Sequence, residues 1–138
     1  MKKYLKKISL VLCLSILIGT VVLILSLNNS NVEVNTAVKE TLVNFLEGVK
    51  NRDVDQVLDN IKDTTFKDQE SLISFYTKDI EENRLVDYEI LNVTVVDAAN
   101  AEALTKVNIT TMGEVTHKFI LINEDGEWLV HLENKVPE

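Results

Sequence analysis

From Asn35 the apolar positions recur at three- and four-residue spacing: Val38, Leu42, Phe45, Leu46 and Val49 form one stripe of a helix. Asn35 or Thr36 can cap its start, and Asn51-Arg52 predicts its end. A second, shorter helix is expected from Asp53, whose carboxylate can accept from backbone N–H groups, with Gln56 completing a capping-box-like pair. Val54, Val57, Leu58 and Ile61 supply its buried face. Thr64-Thr65-Phe66-Lys67 breaks the period, and Asp68 opens a third helix with Glu70 in its first turn. That helix carries Leu72, Ile73, Phe75, Tyr76 and Ile80 and ends near Asn83. None of the three can bury its stripe alone, so each needs a shared partner surface.

The second half supplies one. Tyr88 to Asp97, Ala101 to Met112, Val115 to Asn123 and Glu127 to Glu133 are rich in Val, Ile, Thr and aromatics. Ala98-Ala99-Asn100, Gly113-Glu114 and Glu124-Asp125-Gly126 separate them, and links this short join antiparallel neighbours. The expected fold class is α+β, with three N-terminal helices on one face of a four-stranded antiparallel meander and one transmembrane helix before them.

Turn lengths then assign faces. A tight turn centred on Gly113-Glu114 pairs Met112 with Val115 and Val107 with Ile120. A three-residue loop at Glu124-Asp125-Gly126 pairs Ile122 with Trp128 and Phe119 with His131. One face then holds Ala103, Val107, Ile109, Ile120, Ile122, Trp128, Val130 and Leu132, and should meet the helices. The other holds Lys106, Asn108, Thr110, His117, Phe119, Leu121, Leu129 and His131, and should face water or a partner.

Ile8 to Leu27 contains no charge, and a helix of that length covers about 30 Å, the thickness of a bilayer's hydrocarbon core. The run is long for a cleavable signal and ends without an A-x-A-like site, which favours retention over cleavage. Leu12 before Cys13 does not suit a lipoprotein signal, so Cys13 reads as a small hydrophobe in the span. Lys2, Lys3, Lys6 and Lys7 place the N-terminus in the cytoplasm and the domain outside. The expected organisation is a basic tail over 1–7, an anchor over 8–27, a linker over 28–34 and a domain over 35–138. The expected localisation is a single-pass cell-membrane protein.

The composition changes the picture chiefly through charge. After the four N-terminal lysines, 10 of the 14 basic residues remain against all 22 acids, a balance of −12. Such a surface repels phosphate backbones, which excludes nucleic acid as an expected partner. With one cysteine, neither a disulfide framework nor a thiolate metal site can form within the chain.

Candidate chemistry is sparse. His117 and His131, the only histidines, fall on one sheet face as diagonal neighbours in this register, but zinc needs further ligands and no metal site is expected. Tyr76, Tyr88 and Trp128 are candidates for a pocket lining, each with an apolar body and a polar tip. The acid runs Asp79-Ile80-Glu81-Glu82 and Glu124-Asp125 lack the alternating oxygen ligands of a calcium loop and read as solvated. No G-x-S-x-G, P-loop, H-E-x-x-H or C-x-x-C motif occurs. His117, Phe119, Leu121, Leu129 and His131 cluster on the outer face as the candidate interface.

The opening helix Val38 to Val49 followed by Asn51-Arg52-Asp53, the strand Tyr88-Glu89-Ile90-Leu91-Asn92-Val93, and the last hairpin around Glu124-Asp125-Gly126-Glu127-Trp128 come in a familiar order. In this order the chain resembles the nuclear transport factor 2-like superfamily, the cone-shaped fold shared with ketosteroid isomerase, and in particular small anchored domains of bacterial envelopes. The resemblance implies a cavity between sheet and helices, used by some members for ligands and by a few for catalysis. Other members use the fold as an interaction module. The apolar inner face expected here, without the acids, His or Tyr of enzymatic members, argues against an enzyme. The expected function is a non-catalytic binding or assembly module acting through a protein partner or a homodimer. A small-ligand sensor or carrier is the alternative, and no cofactor is expected.

Overall fold

The computed structural model describes residues 32–132. Helix α1 occupies residues 32–51, so its described part is already helical where Asn35 and Thr36 were expected to cap it. Its stop is well defined: Arg52 takes a left-handed φ of 61°, Arg52 N–H donates to the Val49 carbonyl at 3.3 Å, and Asp53 N–H to that of Gly48 at 2.9 Å. These two bonds make a Schellman ending, with Arg where Gly is usual. The chain then enters α2 (Val54–Asp59), with the Asp53 carboxylate accepting from Gln56 N–H at 3.0 Å, as its sequence position predicts.

Helix α3 (Gln69–Glu82) is capped at Asp68, which accepts from Ser71 N–H at 2.8 Å. The strands are β1 (Ile61–Asp63), β2 (Leu85–Val95), β3 (Asn100–Ile109), β4 (Gly113–Glu124) and β5 (Glu127–Leu132), in the sheet order β1-β5-β4-β3-β2.

This corrects the expected four-stranded meander. The sheet has five strands and is mixed, because β1 pairs parallel with β5 through Ile61↔Val130, Lys62↔His131 and Asp63↔Leu132. Ile61, expected on the buried face of the second helix, is a strand residue. Asn60 caps α2, and its carbonyl accepts from Val130 N–H at 2.8 Å, so the backbone leaves the helix directly into the sheet. A three-residue strand is too short to show alternation.

The helix expected over residues 8–27 lies outside the described residues. Among the described residues no helix is long and apolar enough to cross a membrane. The expected transmembrane element and the cell-membrane localisation are withdrawn on that finding.

The two hairpin registers also differ from expectation. Ile109 pairs with Gly113 around Thr110-Thr111-Met112, and Gly113 at φ 74° takes the left-handed position that ends such a three-residue loop. Asp125 and Gly126, at φ 53° and 97°, form a two-residue turn closed by Glu124↔Glu127. Each change shifts a register by an odd number of residues. Strand β4 is therefore reversed against expectation, and β5, reversed twice, keeps its predicted facing. Phe119 and Leu121 are buried, whereas Ile120 and Ile122 are only half-buried.

Strand β2 carries irregularities between Leu85 and Asp87 and between Ile90 and Asn92. The residues they leave out of the ladder, Val86 and Leu91, are exposed. Bulges of this kind bend a strand and increase its twist.

Candidate functional site

The apolar layer between helices and sheet is filled at one end and open at the other. The open end holds a cavity of about 540 Å³. Phe45, Leu46 and Val49 of α1 and Val107, Ile109 and Phe119 of the sheet give it apolar walls. Phe45 meets Phe119 edge to face at 5.8 Å, tying α1 to the inner face of β4. Met112 and Val115 stand exposed at the mouth on the β3–β4 side, with Phe75 exposed on the α3 side.

Four polar side chains line this cavity: Tyr76 and Asp79 of α3, Asn83 that caps its C-terminus, and His117 of β4. Tyr76, Asp79 and Asn83 follow one another at helical spacing, which places them on one side of α3. Tyr76 donates its hydroxyl to Asp63 Oδ2 at 2.7 Å, linking α3 to β1. Burial, and then the Asp63 carboxylate, push that hydroxyl far above its ordinary pKa, so its proton stays in place. Asn83 Nδ2 donates to Asp79 Oδ1 at 2.8 Å, and Thr111 Oγ1 donates to Asn83 Oδ1 at 2.9 Å. The end of α3 is thus tied to the β3–β4 turn, a tie reinforced by Thr110 N–H on the Arg84 carbonyl at 3.0 Å. His117 packs edge to face on Phe119 at 4.6 Å.

The pocket-lining candidates separate in space. Tyr76 lines the cavity. Tyr88 borders a cleft of about 140 Å³ with Asp87, Glu89, Lys106, Asn108 and Glu114, while its hydroxyl donates to Glu47 Oε1 of α1 at 2.7 Å and Lys50 Nζ lies 5.7 Å from its ring centre. Burial and the Glu47 carboxylate push the Tyr88 hydroxyl up to about 12. Trp128 borders a third cleft, of about 390 Å³, with Glu40, Asp59 and Glu127 around it.

The interface candidates are also split. His117, Phe119 and Leu121 belong to the inner side of β4, and Phe119 and Leu121 are buried there. Leu129 and His131 lie half-buried, alternating with the buried Trp128 and Val130 on β5. The five residues do not form one surface, and the two histidines do not share a face. Among the described residues no group of three or more His, Cys, Asp or Glu is placed to hold a metal ion.

Asp79 and Asn83 were not among the expected site residues. Asp79 reads in sequence as part of a solvated acid run, yet its spacing from Tyr76 on a helix was enough to place it beside that ring.

No protein-family profile matches the sequence, and no curated protein matches it. Solved structures match in fold. The three helices and mixed five-stranded sheet of the described residues align with a Campylobacter jejuni protein provisionally named a nuclear transport factor 2-like transpeptidase. The TM-score is 0.51 at 19% identity, over 69% of this chain and 98% of that one. A ketosteroid isomerase-like protein from Erwinia carotovora atroseptica aligns at 0.51 and 15% identity, over 70% and 89%. A nuclear transport factor 2-like protein of unknown function from Shewanella oneidensis aligns at 0.50 and 14% identity, over 70% and 95%. The chain has the nuclear transport factor 2-like fold.

Proposed function

We propose that this domain is a non-catalytic binding module that takes a small, mainly apolar ligand into the cavity between α1, α3 and the sheet. The observation that carries this reading is an open cavity of about 540 Å³ whose walls are apolar and whose few polar groups sit together on α3 and β4. Concave, largely apolar sites with a few fixed polar groups are the usual form of a small-molecule site. Contact with a protein through the outer sheet face is less well supported, because the residues expected to form that surface divide between the two faces.

The polar groups favour holding a ligand over transforming it. Tyr76 keeps its proton and donates it in a hydrogen bond to Asp63, and Asp79 accepts from Asn83. Both are engaged with protein neighbours, which suits orientation better than proton transfer. A bound compound is expected to be released unchanged.

The test is titration with an apolar environment-sensitive fluorophore, followed by competition with small amphiphiles. Val115→Trp, at the cavity mouth, should abolish binding while the melting temperature stays near that of the parent. Undiminished binding in Val115→Trp would place the site elsewhere and end this reading.

A further inference from the structure

We infer that the cavity takes a lipophilic ammonium compound, with its apolar body against the sheet and its cationic head at Asp79. This inference rests on the reading of the cavity as a ligand site and names the class of ligand. Histidine apart, Asp79 is the one ionisable acid or base, tyrosine hydroxyl aside, among the described lining residues.

Three independent features set the sign. Asp79 lies in the last turn of α3, where unpaired carbonyls concentrate the negative end of the helix dipole, and no basic residue occupies that turn. Asn83 orients the carboxylate through Oδ1, and among the described residues no hydrogen bond reaches Oδ2, which leaves that oxygen for a ligand donor. The described region carries 9 Lys and Arg against 20 Asp and Glu, a balance of −11 (9 − 20), so the surrounding field favours cations.

The neighbouring rings fit the same head group. Phe75 and Tyr76 meet edge to face at 5.3 Å, and both line the cavity beside Asp79. An ammonium group gains from aromatic faces as well as from a carboxylate. A fully apolar ligand filling the cavity would strip water from Asp79 and give nothing back. A carboxylate ligand would meet Asp79 and the helix end as like charges. An ammonium amphiphile both fills the walls and replaces that water with a charge-assisted hydrogen bond, stronger than a neutral hydroxyl would give.

The experiment uses three probes of one chain length, n-octylammonium, 1-octanol and octanoate, titrated calorimetrically into the full chain near neutral pH at low ionic strength. Octylammonium should bind about ten-fold more tightly than 1-octanol, with octanoate weakest. That advantage should shrink in roughly 0.5 M salt. Asp79→Asn should weaken octylammonium and bring it to within about two-fold of 1-octanol. Equal binding of octylammonium and octanol, tighter octanoate, or an ammonium preference that survives Asp79→Asn would each overturn the ligand class. In those cases octanol binding that Val115→Trp removes would leave the cavity reading standing. Binding of none of the three would overturn both.

Discussion

Two ends of the same inner layer, built on the same helix and the same strands, end up differently packed. At the closed end Val38 and Leu42 of α1, Val57 of α2, Ala101 of β3, Leu121 of β4 and Val130 of β5 are all 0% exposed. At the open end, from Phe45 onward, α1 borders a cavity, and Met112 at its mouth is 63% exposed. The apolar residues are similar in kind, so composition does not cause the difference. What differs is how closely the covering element approaches. Gly48 of α1 lets α2 come in and bring the buried Val57 with it, since a Cβ there would sit 3.0 Å from Val57 Cγ2. At the open end α3 forms the far wall across the void. Hydrophobic pattern decides that a face is covered, and the spacing of the covering elements decides whether it is filled.

The sharpest test of that contrast compares two leucines one helical turn apart. Leu42 is fully buried in the closed end, and Leu46, nearly as buried, lines the cavity. Leu42→Ala should cost about 2–5 kcal/mol, because it removes packed atoms and leaves a void behind. Leu46→Ala should cost about half as much, since one side of that leucine already lacks packed neighbours. Urea unfolding with unchanged m-values would measure both. Equal losses would mean that the two ends are packed alike and would break the comparison.

Next in size is Gly48→Ala. In an exposed helix interior this change stabilises by about 1 kcal/mol. Here the new Cβ would lie 3.0 Å from Val57 Cγ2, 3.1 Å from Val57 N and 3.3 Å from the Asp53 carbonyl. Two of those atoms are backbone and cannot rotate aside. Overpacking of about 1–3 kcal/mol should outweigh the propensity gain and leave a net destabilisation. The loss should be smaller in a Val57→Ala background, and a double-mutant cycle measures that coupling. A stabilised Gly48→Ala would mean that α2 does not approach as closely as the contrast requires.

How much of this was legible follows the range of each interaction. The caps at Asp53 and Asp68 are local, and the sequence placed both correctly. The inward facing of Val107 follows from alternation, whereas that of Trp128 and Val130 came out right because two register errors cancelled. The reversal of β4 was not legible, because Gly113 can sit inside a tight turn or close a three-residue loop, and the choice flips every side chain of the strand. Phe119 and His117 were therefore assigned to the wrong face. The pairing of Ile61 with Val130 joins residues far apart in sequence through a strand too short to show a period. Among the pocket candidates, Tyr76 lines the cavity, whereas Tyr88 and Trp128 border other clefts, because each sits on a different element and only the fold brings elements together. Asp79 was hidden by its acidic neighbours Glu81 and Glu82, although only Asp79 lines the cavity.

Thr105 marks the boundary between the two ends, lying on β3 between the fully buried Ala103 and the cavity-lining Val107. It is 0% exposed, and its Oγ1 has no hydrogen-bond partner among the described residues. Thr105→Val keeps the shape and removes the stranded hydroxyl, so stability should rise by about 1 kcal/mol. Calorimetric melting would measure it. A loss of stability would show that the hydroxyl is used, which would move the polar part of the site deeper than the open end.

The smallest expected effect concerns the start of α3, the wall that keeps the open end open. Asp68 is fully exposed, and its carboxyl is held below its ordinary value of 3.8, first by the Ser71 backbone N–H and then by the Ser71 hydroxyl. A folded-state pKa below the unfolded value means that the ionised cap stabilises the fold above the unfolded pKa. That contribution disappears as pH falls through the folded pKa. Asp68→Asn keeps a side-chain acceptor for Ser71 but removes the charge at the positive end of the helix. Parent and variant should therefore differ most in melting temperature near neutrality, with the parent higher, and converge once the pH drops well below 3.8. Comparing the two proteins at each pH cancels the titration of the other carboxylates. A gap of constant size down to the acid limit would show that the Asp68 charge contributes nothing. The hold on this wall would then rest on its other contacts, among them the buried Ile80 and the ties of Tyr76 and Asn83.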